Sequence, residues 1–547
     1  MGKRGNRFNV WLPLWIAFGI AIGILIGNIF ANFNSRHSLF NRGNKLEAIL
    51  EYISDSYVDT VNVQELVERS IPDLVSGLDP HSVYISAKAM EMGDELEDNF
   101  SGIGVQFILQ KDTIVVVSII KGGPSEAAGV MAGDRIVYVN DSLFAGEGIT
   151  NDKVMRNLRG ESGTSVKLGL WRPSKQDTLS IKVMRASVPV SSIDAAFMLD
   201  NKTGYIKINR FAYTSYSDFI SAISRLKSEK CESFIIDLRQ NTGGSLNAAI
   251  QMVNEFLERD QLIVYTEGRA FPRQEYYADG SGTCKENQLI ILIDEGSASA
   301  SEVFSGAIQD SDRGLIVGRR SFGKGLVQDQ RQFKDGSALR LTVARYYTPS
   351  GRCIQKAYEK GNSSDYNQDL MRRYMRGEFD SQDSIKMDAF PLFHTLGGRP
   401  VYGNDGIMSD VFIPRDTTGM NSYYLKLANA GLIYEYAFGY TDKNREKLNG
   451  FKDWKNLLSY LQKQPLLDNL VSMADSKGIR PRPYYIEESR KLIENQLQAY
   501  IVRNMLGDEG FYQVLSQEDI VIIRAAELMK KGLAMPDKVK NKTYLNN

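Results

Sequence analysis

The chain has 547 residues, 43% of them hydrophobic and 24% charged, which is enough apolar material for several packed domains. Its 66 basic and 66 acidic residues cancel, so bulk attraction to nucleic acid is excluded and no nucleic-acid partner is expected. Three cysteines (Cys231, Cys284, Cys353) cannot frame a disulfide scaffold, and three histidines (His37, His81, His394) leave little for a metal centre or a histidine base; neither metal nor cofactor is expected.

The N-terminus reads as a membrane anchor. "VWLPLWIAFGIAIGILIG" (Val10–Gly27) carries no polar side chain beyond the Trp ring nitrogens. Residues 10–31 as a helix would span about 33 Å, enough for a hydrocarbon core. Lys3, Arg4 and Arg7 precede it and the first acidic residue is Glu47. The basic tail 1–9 should therefore stay in the cytoplasm, with everything after the anchor in the periplasm or another extracytoplasmic space. A cleaved signal peptide is the rival, but the apolar run is long for one and no clear Ala-x-Ala site follows it. Gly19, Gly23 and Gly27 form a small-residue face able to pair helices in a homo-oligomer.

Residues 36–98 read as a helical segment, with Leu46, Ile49, Leu50 and Ile53 at helical spacing and the polar turn "LDPHS" (Leu78–Ser82) interrupting it. Residues 99–185 form a small β-rich module of short runs such as "VQFIL" and "DRIVYVN" between Gly and Asp turns. In 186–416 strand and helix patterns alternate. "SFIIDL" leads through "RQNTGG" to a helix, and "QLIILI" leads through "DEGSAS" to another. Such units imply parallel strands with right-handed crossovers, and both Gly-rich turns at the carboxyl edge of one sheet. Residues 417–547 read as a helical extension. The expected fold class is thus multidomain α+β, with an α/β core of parallel βα units.

The stretch "DEGSASASEVFSG" (Asp294–Gly306) concentrates the chemistry. Ser299-Ala-Ser-Glu302 fits a helix capping box, which needs no further role. The same strand-to-helix turn could present a nucleophile beside the unpaired N–H groups of a helix start. Local sequence does not choose between Ser297, Ser299 and Ser301. No histidine falls in this region, so the base would be a lysine whose pKa is lowered by its surroundings. Lys324, in "SFGKGLVQ", lies between two glycines, and Gln328 four positions on could hydrogen-bond the amine without recharging it. Gly318–Lys324 imitates a phosphate loop, but Gly325 stands where a Ser or Thr would hold Mg²⁺. Ser321-Phe-Gly-Lys324 imitates the Ser-x-x-Lys of penicillin-binding acyltransferases, without a later Lys-Thr-Gly.

Taken together, "LDPHSVYI", "FSGIGV", "GPSEAAGVMAGDRIVYVN", "IDLRQNTGG", "GSASASE", "GRRSFGKGLVQ", "LTVARYYTPSGRCIQ" and "GIMSDVFIP" resemble, in order, the carboxyl-terminal processing peptidases, or tail-specific proteases. The resemblance covers roughly residues 44–416 and implies a PDZ domain over 99–185 and a crotonase-like serine peptidase core over 186–416. It implies a Ser-Lys dyad with Ser299 as nucleophile, Lys324 as general base and Gln328 orienting it. It implies an oxyanion hole from the backbone N–H groups of Ala300 and of the Gly243-Gly244 turn. Gly102, Ile103, Gly104 and Val105 would hold the tail carboxylate of protein or peptide substrates with apolar C-termini. Arg159 matches an arginine that couples this domain to the protease. Two further readings stay open: a non-catalytic tail-binding scaffold, and the acyltransferase using Ser321. The 356–397 insertion, the 417–547 extension and Met408-Ser409, where Pro would often precede Asp410, depart from the family pattern.

Overall fold

The computed structural model describes residues 12–38, 45–90, 99–534 and 536, apart from 111, 121, 173, 174, 176 and 190. The basic tail 1–9 lies outside them. The chain divides into two compact units, residues 1–77 and 78–547. The first contains the helices Leu12–Ser38, Lys45–Ser56 and Val63–Ser76. Asn62 caps the last of these, its side chain accepting from the Glu65 N–H at 3.2 Å. In the first helix Trp15, Ile16, Phe18, Ile20, Ile24 and Leu25 are exposed, and a methyl group added at Gly19, Gly23 or Gly27 would meet nothing. Its described side chains are Pro13 and those from Trp15 to Gly27, the latter run about 20 Å of helix. Among the described residues no helix is long and apolar enough to cross a membrane.

The second unit is built on a six-stranded sheet in the order Ile193–Met198, Thr203–Ile208, Ser233–Asp237, Gln288–Ile293, Leu315–Gly318, Val411–Phe412. All pairs after the first are parallel. Their near-continuous apolar sequences follow from burial on both faces. Side chains alternate cleanly between the two. Ile206, Phe234, Ile236, Leu289, Ile291 and Ile316 join the helices Ser215–Ser228, Leu246–Asn254 and Ala300–Asp310 on one face. Tyr205, Ile235, Ile290, Leu292, Leu315 and Val317 meet Val521, Ile522, Ala525, Leu528 and Met529 of the helix Ile520–Lys530 on the other. The C-terminal extension therefore supplies one layer of this α/β core.

Residues 99–189 form the separate β-rich module, a sheet in which Val105–Gln110 pairs on one side with Thr113–Ile119 and on the other with no strand among the described residues. The rest of the extension is helical with its own core, including Leu427, Leu470, Leu497 and Ile501. It packs Phe438 against Val115 and Val117 of the β-rich module.

One local expectation is corrected. Within the segment read as helical, Val83–Ile85 is a strand paired antiparallel with Ala338–Arg340. Val, Tyr and Ile favour a pleated surface, and the tertiary partner 250 residues away decides the state.

Candidate active site

The two Gly-rich turns meet as the alternating pattern requires. Asn241 joins them: its carbonyl accepts from Ala298 N–H at 3.0 Å and from Ser301 Oγ at 2.8 Å. Asp294 accepts from the Gln240 N–H at 2.9 Å and from Gln240 Nε2 at 2.7 Å. Gly243 adopts φ +101°, and a Cβ there would lie 2.7 Å from Ser299 Cβ and 2.9 Å from Ala300 N. Glycine is needed because the Ser299 turn occupies the space of a side chain.

The structure separates the serines that local sequence could not. Ser297 Oγ donates to Leu238 O at 2.8 Å and accepts from Asp294 N–H. Ser301 Oγ is bound to Asn241, and Ser305 Oγ donates to Ser301 O. Ser299 alone has a left-handed backbone, φ 57° and ψ −114°, at the start of the helix Ala300–Asp310. A non-glycine residue at such a φ stores about 1–3 kcal/mol, which the surrounding contacts must hold. Gly243 N–H donates to Asn241 Oδ1 at 2.9 Å, so that member of the expected oxyanion hole is engaged within its own turn. No acceptor meets Ala300 N–H or Gly244 N–H among the described residues.

Glu302 does far more than cap. It is fully buried, and its carboxylate accepts from Ser299 N–H (2.8 Å), Lys324 N–H (2.8 Å), Gly323 N–H (2.7 Å) and Ser321 Oγ (2.5 Å). One side chain thereby ties the serine turn to the lysine turn, and Phe322 N–H adds a bond to Ser297 O at 2.9 Å. Burial raises the Glu302 pKa, opposed by the four donors.

Lys324 is half-buried and its Nζ donates to Gln328 Oε1 at 3.4 Å. The strand Leu326–Gln332 follows, with a register shift at Val327/Gln328. A strand after this turn, in place of a helix, removes the helix N-terminus that a phosphate loop uses. Ser321 is fully buried, its hydroxyl spent on Glu302 and on Ile407 N–H, so it is closed to acylation in this conformation.

Gln328 Nε2 donates to the backbone carbonyl of His81. His81, far from this region in the sequence, thus reaches the lysine through Gln328. Its ring bonds Tyr366 Oη at 2.9 Å. Burial, then the Lys324 charge, lower its pKa to about 4, so it is neutral at pH 7. Asp79 sets the turn by accepting from His81 N–H, Ser82 N–H and Thr342 Oγ1. Burial pushes the Asp79 pKa up, but the Ser82 hydroxyl, which also donates to it, together with these bonds outweighs that and holds it low. The 356–397 insertion contributes Tyr366 and Arg373, both from the helix Ser363–Met375. Arg373 donates to the carbonyls of Ser321 and Arg320 at 2.9 Å each. The capping-box spacing was the one sequence signal for Glu302; nothing in the sequence pointed to Tyr366 or Arg373.

In the β-rich module Gly104 has φ +76° and an added Cβ would lie 3.2 Å from Pro124 Cδ. Gly102 ends the strand Asn99–Gly102, Ile103 is buried, and Val105 opens the edge strand. Ile103, Val105, Phe107, Val154 and Leu158 share one apolar cluster beneath it. Arg159 caps the helix Asn151–Leu158, its N–H donating to Met155 O at 2.9 Å.

Residues 202–366 match Peptidase family S41, residues 101–183 match a PDZ domain, and residues 423–507 match a family of unknown function, DUF8443. A carboxy-terminal-processing protease of Bartonella bacilliformis is 35% identical over 328 residues, 59% of this chain and 74% of that protein. The chain belongs to the carboxyl-terminal processing peptidase family. It is a serine-type peptidase carrying a PDZ domain. The carboxy-terminal processing protease CtpB of Bacillus subtilis is 33% identical over 57% of this chain and 65% of its own length. Among solved structures, the photosystem II D1 C-terminal processing protease shares 26% identity over 57% of this chain and 89% of that chain, with a TM-score of 0.32. The DUF8443 match lies in the extension, beyond the PDZ and S41 matches.

Proposed function

We propose that this peptidase is a membrane-anchored extracytoplasmic endopeptidase that takes protein C-terminal tails on its PDZ domain and cleaves nearby through a Ser299–Lys324 dyad. The observation that carries the reading is the pair of stitched turns: the strained Ser299, packed on Gly243, is joined through Glu302 to the backbone of Lys324. Neutral Lys324 takes the Ser299 proton as Oγ attacks the scissile carbonyl, and later returns it to the leaving amine. Gln328, oriented by the His81 carbonyl, presents its Oε1 to the amine. Ala300 N–H and Gly244 N–H face the developing oxyanion, with Gly243 joining them if it leaves Asn241. The unpaired edge Val105–Gln110 supports addition of a tail as an extra strand, its carboxylate at Gly102–Val105 and its apolar last side chain toward Ile103 and Leu158. Residues 10–31 hold the protein in the cytoplasmic membrane by a single pass.

The test is degradation of an unfolded protein with an apolar C-terminal tail. Ser299→Ala and Lys324→Ala should abolish turnover, while Ser297→Ala, which loses bonds to Leu238 O, Asp294 N–H and Asp294 Oδ1 only, should retain most of it. Equal activity in wild type, Ser299→Ala and Lys324→Ala would overturn the dyad. Release of the full chain from membranes by alkaline carbonate would overturn the anchor.

A further inference from the structure

We propose that Asp519, in the C-terminal extension, is a positioning residue for the oxyanion turn, acting through Arg239. The inference rests on the site reading above and extends it to a segment outside the S41 match.

Arg239 stands at the root of the turn that ends in Gly243-Gly244. Its guanidinium is shared between two carboxylates. Nε and Nη2 bond Asp237, the nearest at 2.6 Å, while Nη1 bonds Asp519 Oδ1 at 3.1 Å and Oδ2 at 2.9 Å. Asp237 is fully buried and also takes Tyr205 Oη at 2.7 Å, Lys207 Nζ at 3.3 Å and the Arg239 N–H at 2.9 Å. Lys207 Nζ in turn donates to the Arg239 carbonyl. One residue further along the chain, Gln240 is held by Asp294, and Asn241 by Ala298 and Ser301. The turn is thus fixed on its serine side by Asp294, Ala298 and Ser301, and at its root by Asp237 and Lys207 of the sheet together with Asp519 from the extension.

Asp519 has a second task that makes it separable. Its Oδ1 caps the helix Ile520–Lys530, accepting from Val521 N–H at 2.9 Å and Ile522 N–H at 3.1 Å. That helix is anchored by apolar contact with the sheet, so Asp519 is delivered to Arg239 by packing. Asparagine caps a helix about as well as aspartate but carries no charge. Asp519→Asn therefore weakens the ion pair while leaving the helix and its packing in place.

An oxyanion donor acts on the transition state more than on bound substrate, so displacing the turn should lower kcat and spare KM. With the unfolded tailed substrate, Asp519→Asn should lose about tenfold in kcat with KM within about twofold, and Asp519→Glu should regain most of it. Glu509→Gln removes a different ion pair between extension and core, the exposed one with Arg225, and should match wild type. Wild-type kcat in Asp519→Asn, with Ser299→Ala inactive, would overturn this inference and leave the dyad standing. Equal losses of kcat and melting temperature in Asp519→Asn and Glu509→Gln would also overturn it. Activity persisting in Ser299→Ala would overturn the site reading itself.

Discussion

The serine turn and the lysine turn are held by different means. The Ser299 turn sits between a parallel strand buried from Leu289 to Ile293 and a fully buried helix, and its partners Asn241 and Gly243 come from the adjacent βα unit. Lys324 follows a strand but leads into no helix. Its turn is secured from outside: by Glu302 of the serine helix, by Arg373 of the insertion, by Gln355, whose Oε1 accepts from Gly325 N–H, and, through Gln328, by the His81 turn. The proposed nucleophile, on a strand-to-helix turn, inherits its geometry from the sheet. The proposed base, on a loop, depends on segments far away in sequence, and this is the more fragile half of the pair.

Three substitutions test that asymmetry. The largest effect should come from Glu302→Gln, which serves both turns. An amide offers one oxygen where the carboxylate has two, so two of the four donors lose their acceptor in a buried site. Activity should fall by about 100-fold and stability by about 3 kcal/mol, read by turnover and by chemical denaturation. Arg373→Ala comes next. It frees the carbonyls of Arg320 and Ser321 and should lower kcat about tenfold, while a crystal structure of the variant keeps the Ser299 turn unchanged. Movement of both turns together would break the comparison. The smallest effect concerns His81. Its pKa is about 4 folded and about 6.5 unfolded, so unfolding takes up a proton in between. Its contribution is full above pH 6.5 and fades as the pH falls toward 4. Replacing it with Gln should flatten the acid limb of a stability–pH curve by about 1–2 kcal/mol, discounted for partial solvent screening.

Much of this was legible beforehand. The strands Ser233–Asp237 and Gln288–Ile293, their helices and their parallel pairing follow from unbroken apolar runs and Gly-rich turns. The family and the PDZ domain followed from ordered motifs. Val83–Ile85 is a strand inside a segment expected to be helical, because its short run carries no period of its own. The capping box marks Glu302 only as a helix cap and nothing marks Arg373, because a buried Glu or Arg looks like any surface charge in a sequence; only the three-dimensional arrangement reveals the partners that offset its burial.

The sequence alone determined which residues could do chemistry here. Histidine scarcity, a glycine-flanked lysine and a serine-rich strand-to-helix turn are local facts. Only the tertiary structure decided which serine stands apart, since Ser297, Ser299 and Ser301 differ in backbone angle and hydrogen bonding and not in kind. It also decided that His81, Tyr366, Arg373 and Asp519 gather around the site from three distant segments. Their contacts span up to 285 positions of chain, and no pattern of neighbouring residues encodes an approach set by how whole elements pack.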